Sequence, residues 1–244
     1  MDICIFAINL DRSVDRWERL KGQLESLGLP AVRVSGVDGT TIAMNDRVDC
    51  NTRSFERNNG RSILPGEYGC YRSHLKALSE VHLSGKQVAV IIEDDLDVTR
   101  DLIARAQSAV EAVPNADVIK FFSHRVVGFR RVATSKAGDD VGRASHGPLG
   151  SAACYVVTRR GAEKLAKTLK VMEYPIDIAL ERGWDSGAQV YTTRSNVAVP
   201  IRGTTTIATR AIYKRSKFPW WKRFRTYGIR IAEAAHRIRY ARLG

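Results

Sequence analysis

The chain has 244 residues, 44% hydrophobic and 27% charged, with a net charge of +13. That size and balance suit one α/β domain or two small domains with a real core, and exclude an intrinsically disordered chain. No apolar run approaches a membrane span, and Cys4, Cys50, Cys70 and Cys154 form no close pair, which excludes a zinc ribbon and a CxxC redox motif.

Asp2-Ile3-Cys4-Ile5-Phe6-Ala7-Ile8 is a compact apolar run that predicts a buried strand. Val14, Trp17, Leu20, Leu24 and Leu27 then recur at helical spacing, with Ser13 as N-cap and Gly28 followed by Pro30 as the stop. Ala31 to Val34 predicts a second strand, closing at Gly36-Val37-Asp38-Gly39. Strand, helix and strand joined by short links make a βαβ unit with a right-handed crossover. Asn9, Arg12 and Arg16 stand at its first turn, where such units bind nucleotides, although the sequence alone favours exposed helix surface for both arginines.

Residues 40–63 are polar and without period, and predict a long loop of functional or mobile character. A helix follows from Leu64-Pro65, with Tyr71, His74, Leu75 and Leu78 on one stripe. On that stripe His74 serves as a hydrogen-bonded core residue or faces the crevice edge.

Val88 to Ile92 is a continuous β-branched run leading directly into Glu93, Asp94, Asp95 and Asp97. Such a strand is buried on both faces, and acids at its C-terminal end project into the crevice where open α/β sheets bind ligands. Carboxylates massed there can hold a hard divalent ion; they can also form a solvated loop, with Asp97 or Thr99 capping the next helix. Leu102 to Val110 predicts that helix, 117–122 a strand, 152–157 a strand and 158–170 a helix, while 123–150 has no assignable pattern. A short helix through Leu180 and one or two short strands up to Pro200 complete an α/β body over 1–213 with no internal repeat.

From Lys214 to Gly244 ten Lys/Arg face one acid, Glu233, so this stretch holds nine of the thirteen net charges. Its Trp220-Trp221 pair and the row Tyr227, Ile231, Ala234, Ile238 and Ala241 predict a basic amphipathic tail over 214–244. Such a tail lies on an anionic membrane surface or remains a solvated basic extension. With no basic residue before Arg12 to suggest a secretory signal, a cytoplasmic protein, peripheral on the inner membrane face, is expected.

Several segments taken together resemble glycosyltransferase family 25, which includes bacterial lipooligosaccharide and lipopolysaccharide glycosyltransferases. They are Ile8-Asn9-Leu10-Asp11-Arg12-Ser13 with Arg16, Val37-Asp38-Gly39, Pro65-Gly66-Glu67-Tyr68-Gly69-Cys70 with Ser73-His74, and Ile92-Glu93-Asp94-Asp95. Gly150 to Tyr155, Gly161-Ala162 and Pro175-Ile176-Asp177 follow in the family's order, so the resemblance covers roughly residues 3–180. Each motif is weak alone; the ordered set is specific.

The resemblance implies a GT-A-like nucleotide-binding domain, with a mainly parallel central sheet flanked by helices. It also implies inverting transfer, commonly of galactose from UDP-galactose, to a lipid-linked glycan acceptor. By it Glu93, Asp94 and Asp95 become a DxD-like motif for Mn²⁺ or Mg²⁺. Asn9, Leu10, Arg12, Arg16 and Asp38 fall on the nucleotide side, with Ser73 and His74 in the matching helix. No C-terminal His completes the metal shell, since His236 lies in the basic tail.

Such a transfer needs charge stabilisation of the departing diphosphate and a base for the acceptor hydroxyl. Asp177 and Asp185 are the candidate bases, Asp177 serving equally well as a helix cap. Two rivals use the same features. A nucleic-acid-binding protein would use the basic and aromatic tail, although the body holds no known nucleic-acid module and none is expected as partner. A nucleotidyltransferase would use the acidic cluster without a sugar acceptor.

Overall fold

β1 (Ile3–Leu10), α1 (Val14–Leu27) and β2 (Ala31–Gly36) form the predicted βαβ unit, with β1 and β2 parallel from Ile5↔Ala31 to Leu10↔Gly36. The structure is a computed structural model describing residues 1–201 and 210–243, the Arg210 side chain excepted; of the expected units, 202–209 and Gly244 lie outside the described residues. Gly28 ends α1 at φ +69°, a left-handed conformation that a Cβ would oppose. The Ser13 side chain makes no capping bond; its backbone carbonyl instead accepts from Asn9 Nδ2 at 3.0 Å.

The region read as a loop contains a helix, α2 (Thr52–Asn59). Asn51 Oδ1 caps it by accepting from Ser54 N at 3.1 Å, and Gly60 closes it at φ +67°. Its one large apolar side chain, Phe55, is fully buried. A single anchor leaves no periodicity to detect.

α3 (Pro65–Leu83) begins with Pro65 in its first turn and with Glu67 Oε2 accepting from Leu64 N at 3.1 Å. Its start lies hard against the Val37–Gly39 turn, where a Cβ on either Gly39 or Gly69 would overlap the other segment's backbone. Two motifs distant in sequence are thus one contact.

β3 (Val88–Glu93) lies beside β1, parallel, with its apolar run buried on both faces. Cutting any of its large apolar side chains to Ala would cost on the order of 3 kcal/mol. β4 (Leu96–Asp97) follows, then α4 (Leu102–Ala112) and β5 (Val118–Lys120). Asp97 does not cap α4; it lies in β4, engaged by Arg19 at 3.4 Å and Gln23 at 3.2 Å.

Residues 123–150 hold a hairpin of β6 (Val127–Thr134) and β7 (Asp140–His146), largely exposed on β6 and therefore without the apolar alternation that marks a strand. β8 (Cys154–Thr158) leads into α5 (Arg159–Thr168), α6 (Ile176–Glu181), α7 (Gly183–Ser186), β9 (Val190–Thr193) and β10 (Val199–Pro200).

The main sheet runs β2-β1-β3-β8-β5-β9-β7-β6. β8 and β7 run against the other six strands, so the expected α/β class and mainly parallel sheet are present. Phe6, Ile8, Ala89 and Ile91 face the core under α3 and α5. Ile5, Ala7, Val90 and Ile92 face the core under α1 and α4. The result is three layers.

The C-terminal stretch forms α8 (Arg210–Ser216), a 3-10 turn (Trp220–Arg223) and α9 (Phe224–Leu243). α9 packs on β7, α2 and α7, and is part of the same body. Its inner face holds Thr226, Arg237, Tyr240 and Ala241, whereas Ile231 and Ala234 of the expected apolar row are exposed. Tyr240 Oη accepts from Val190 N at 2.7 Å and donates to Ala188 O at 2.6 Å, contacts that hydropathy cannot reveal.

Candidate active site

β3 ends at Glu93, and the chain turns so that the three acids diverge. Asp94 points towards α1: its Oδ1 meets Arg16 at 2.5 Å and its Oδ2 accepts from Asn9 Nδ2 at 2.6 Å. Burial raises its pKa, while the Asn9 bond and Arg16 oppose that rise. Both oxygens are engaged by protein groups, which hold the Asp94 carboxylate towards α1. Asn9 does not face the cleft: it is 1% exposed, and its Oδ1 accepts from Arg33 at 2.6 and 3.1 Å. Asn9 is a positioning residue for Asp94.

Asp95 is 39% exposed and 3.3 Å from Arg16. Partial burial and the neighbouring Glu93 push its pKa from 3.8 up to about 6, with Arg16 opposing. Glu93 Oε1 lies 3.1 Å from Nε2 of His74, whose Nδ1 lies 3.1 Å from Tyr155 Oη. His74 is fully buried and orients Glu93 from the inner wall of the smaller cleft. Ser73 Oγ accepts from Val37 N at 2.8 Å and donates to Gly69 O at 2.7 Å, locking the glycine contact.

Glu93 stands between two cavities. The smaller, about 580 Å³, is walled by Leu10, Val37 and Ile8, with Arg12, Arg16 and Asp38 at its polar side. Arg12 pairs with Asp38 and reaches Thr40 Oγ1 at 3.2 Å. Six of the residues expected on the nucleotide side, Leu10, Arg12, Arg16, Asp38, Ser73 and His74, are therefore brought to one cleft, and Asn9 alone of that set is not among its lining. The larger, about 1490 Å³, holds Asp95, Asp177, Arg61, Glu67 and Tyr213. Glu93 and Cys70 line both.

Asp177 lies in the first turn of α6, its Oδ1 accepting from Ile178 N at 2.9 Å and its Oδ2 from Ser151 N at 3.3 Å. Burial raises its pKa, against the pull of Lys120. Asp185, the other candidate base, lies elsewhere: it is exposed on α7, bound to Arg182 at 2.8 Å, and lines neither cavity. The two acids are alike in sequence; only α6 faces the cavity.

Among the described residues, the His/Cys/acid cluster with metal-like spacing is Cys70, His74 and Glu93, its ligand atoms within 4.8 Å of one another. Burial and the surrounding acids hold the Cys70 thiol well above its ordinary pKa, so it stays protonated. Cys70 and Tyr155 were not legible as site residues, since each reads as packing. Arg61, bound to Glu67 at 2.5 and 2.6 Å and stacked on Tyr213, lay in the supposed loop.

The family model described as "Glycosyltransferase family 25 (LPS biosynthesis protein)" matches residues 2–180. Procollagen galactosyltransferase 1 of Danio rerio is 28% identical over 187 residues, 71% of this chain and 30% of that protein. Inactive glycosyltransferase 25 family member 3 of Homo sapiens is 29% identical over 113 residues, 45% of this chain and 19% of that protein. The chain thus spans less than a third of the length of these relatives. A solved glycosyltransferase involved in glycosylation of the major capsid of PBCV-1 superposes with a TM-score of 0.44 at 8% identity, over 95% of this chain and all of that one.

Proposed function

The chain belongs to glycosyltransferase family 25, and from that premise we propose that it transfers a sugar, with inversion, from a nucleoside diphosphate to a glycan acceptor. Because a relative is named inactive, the proposal rests on this chain's own residues. The observation that carries it is the position of Glu93 on the wall shared by a cation-bearing cleft and a cavity holding Asp177.

The smaller cleft suits the donor. Apolar walls at Leu10 and Val37 accept the base, Asp38 can accept from ribose hydroxyls, and Arg16 attracts the diphosphate. In the larger cavity Asp177 takes the proton of the acceptor hydroxyl, its raised pKa bringing it nearer the working pH of a base. The acceptor oxygen bonds to the anomeric carbon from the face opposite the diphosphate. The bond from that carbon to the phosphate oxygen breaks, and its electron pair leaves with the diphosphate.

Glu93 and Asp95 fit a hard divalent ion, Mn²⁺ or Mg²⁺. They are adjacent acids whose mutual repulsion already raises the proton affinity of Asp95, and a cation would relieve it. When bound, such an ion supplies charge neutralisation of the departing diphosphate.

Galactose, offered as UDP-galactose, is the first donor sugar to test, since a relative is named a galactosyltransferase. A lipid-linked acceptor of lipopolysaccharide type, met at the cytoplasmic face of a membrane, is supported by the family description and by the basic C-terminal stretch. The test is a screen of UDP-sugars for metal-dependent hydrolysis. Activity lost in Asp95→Ala, and lost in Asp177→Asn with donor binding retained, supports the proposal. Full turnover in Asp177→Asn overturns the assignment of the base.

A further inference from the structure

A third cavity, about 1100 Å³, lies between α2 and the C-terminal segment, lined by Arg53, Glu56 and Arg57 on one side and Phe218, Lys222, Arg225 and Thr226 on the other. It gathers four cations and one acid. Among the described residues no ion pair engages Arg53, Arg57, Lys222 or Arg225. By contrast, the arginines of the sheet's crevice and of α4, such as Arg16, Arg61 and Arg105, are each bound to a carboxylate. Four uncompensated cations around one groove repel each other unless an anion joins them.

Beside the groove stand Trp220, Trp221 and Phe224, 61%, 57% and 63% exposed. Trp220 packs edge-on against both neighbours, with centroids 6.0 and 5.7 Å away, so the three rings form a ridge of fixed shape. A contiguous exposed aromatic patch rimmed by cations marks an interaction surface, and indole rings favour the headgroup level of a bilayer. The ridge is not on a free tail. Phe218 N donates to Gly60 O at 3.0 Å, Ser62 N to Ser216 O at 3.0 Å, and Thr226 Oγ1 to Arg57 O at 2.8 Å. These bonds fasten it to α2, so groove and ridge make one face. The same segment passes Tyr213, which lines the larger cavity.

We propose that this face, Arg53 and Arg57 with Lys222, Arg225 and the Trp220–Phe224 ridge, docks on an anionic phospholipid bilayer and sets the larger cavity beside it. Lipid phosphates occupy the groove, and the rings enter the interface. A single-stranded nucleic acid is the poorer match, because base stacking needs open ring faces and these rings meet edge to face. The inference rests on the lipid-linked acceptor reading above, to which it adds a docking site that includes two body arginines outside the basic tail.

The test uses the full chain with sedimenting vesicles of phosphatidylglycerol and phosphatidylethanolamine, against vesicles of phosphatidylcholine. Binding to the anionic vesicles alone is expected, weakened roughly fivefold for each cation removed, so that Arg53→Ala with Arg57→Ala loses more than tenfold. Trp220→Ser with Trp221→Ser removes the part of the binding that survives high salt. Hydrolysis of UDP-sugar, followed in the same preparations, stays unchanged in both variants. Equal binding to neutral vesicles, unchanged binding in the arginine variant, or tighter binding of a single-stranded oligonucleotide through the same residues would each overturn it. If the unaltered chain hydrolyses a UDP-sugar but fails to bind the anionic vesicles, the docking face alone is sunk; if it binds the vesicles but hydrolyses no UDP-sugar, the transferase reading alone is sunk.

Discussion

Arg237, on α9, lies 3.0 Å from Oε2 of Glu181, whose side chain is 1% exposed at the end of α6. Glu181 Oε1 also accepts from Lys120 Nζ at 2.6 Å and from Gly150 N at 2.9 Å, while Oε2 accepts from Leu149 N at 3.0 Å. Both carboxylate oxygens are saturated, which makes a buried charge tolerable. The loop they hold ends at Ser151, a non-glycine residue at φ +63° whose N–H donates to Asp177. The C-terminal helix therefore reaches the proposed base through Glu181 and one loop.

Arg237→Ala leaves Glu181 with half its countercharge. The expected cost is on the order of 2 kcal/mol of stability, read by thermal unfolding. Loosening of the 149–151 loop should lower kcat while donor affinity, measured by calorimetry, is unchanged; Arg237→Lys should restore part of kcat. An equal fall in donor affinity would show that the contact supports the whole body and not this loop. By the same reasoning, removing residues 214–244 should destabilise the protein rather than yield a soluble active core.

Asp95→Asn should stabilise the metal-free protein. Burial and the neighbouring Glu93 push its carboxyl up from the ordinary 3.8 to about 6, so the folded state binds the proton more tightly. Ionisation therefore costs stability fully above about pH 6 and not at all below the unfolded value. With the side chain 39% exposed, solvent screening reduces the gain from Asn to about 1 kcal/mol. Melting curves in chelator at pH 7 and pH 3.5 check this; a gain that persists undiminished at the lower pH contradicts the assignment.

Asn9→Ala removes one donor from Asp94 and the acceptor of Arg33 in a buried position. A loss of roughly 2 kcal/mol, or about 5 °C in Tm, is expected. Donor affinity should fall with it, because Arg16 then pulls Asp94 without restraint. Unchanged donor binding would separate Asn9 from the nucleotide cleft.

The elements that could be read in advance share a local cause. β1, α1 and β3 bury several apolar side chains at a regular interval, and α1 stops where a glycine takes a left-handed turn. α2 and the β6–β7 hairpin escape such reading because one buried Phe55, or an exposed strand, leaves no interval to count. The acids at the end of β3 were legible as a group, but not their division of labour. Asp94 is taken up by Asn9 and Arg16, and Asp97 by Arg19 and Gln23.

By itself the amino-acid order determined the α/β class, the βαβ start, the acidic strand end and the ordered motifs of the family. These follow from short-range periodicity and from residue types at fixed spacing. Tertiary structure alone decided that Asp177 and not Asp185 faces the cavity, that His74 orients Glu93, and that the basic C-terminal helix is bound into the body through Arg237. A carboxylate or a cation takes its role from the partner that the fold brings to it. Glu181 and Arg237, or Asn9 and Asp94, are far apart along the chain, and only closing the sheet and docking the last helix puts their charges in contact.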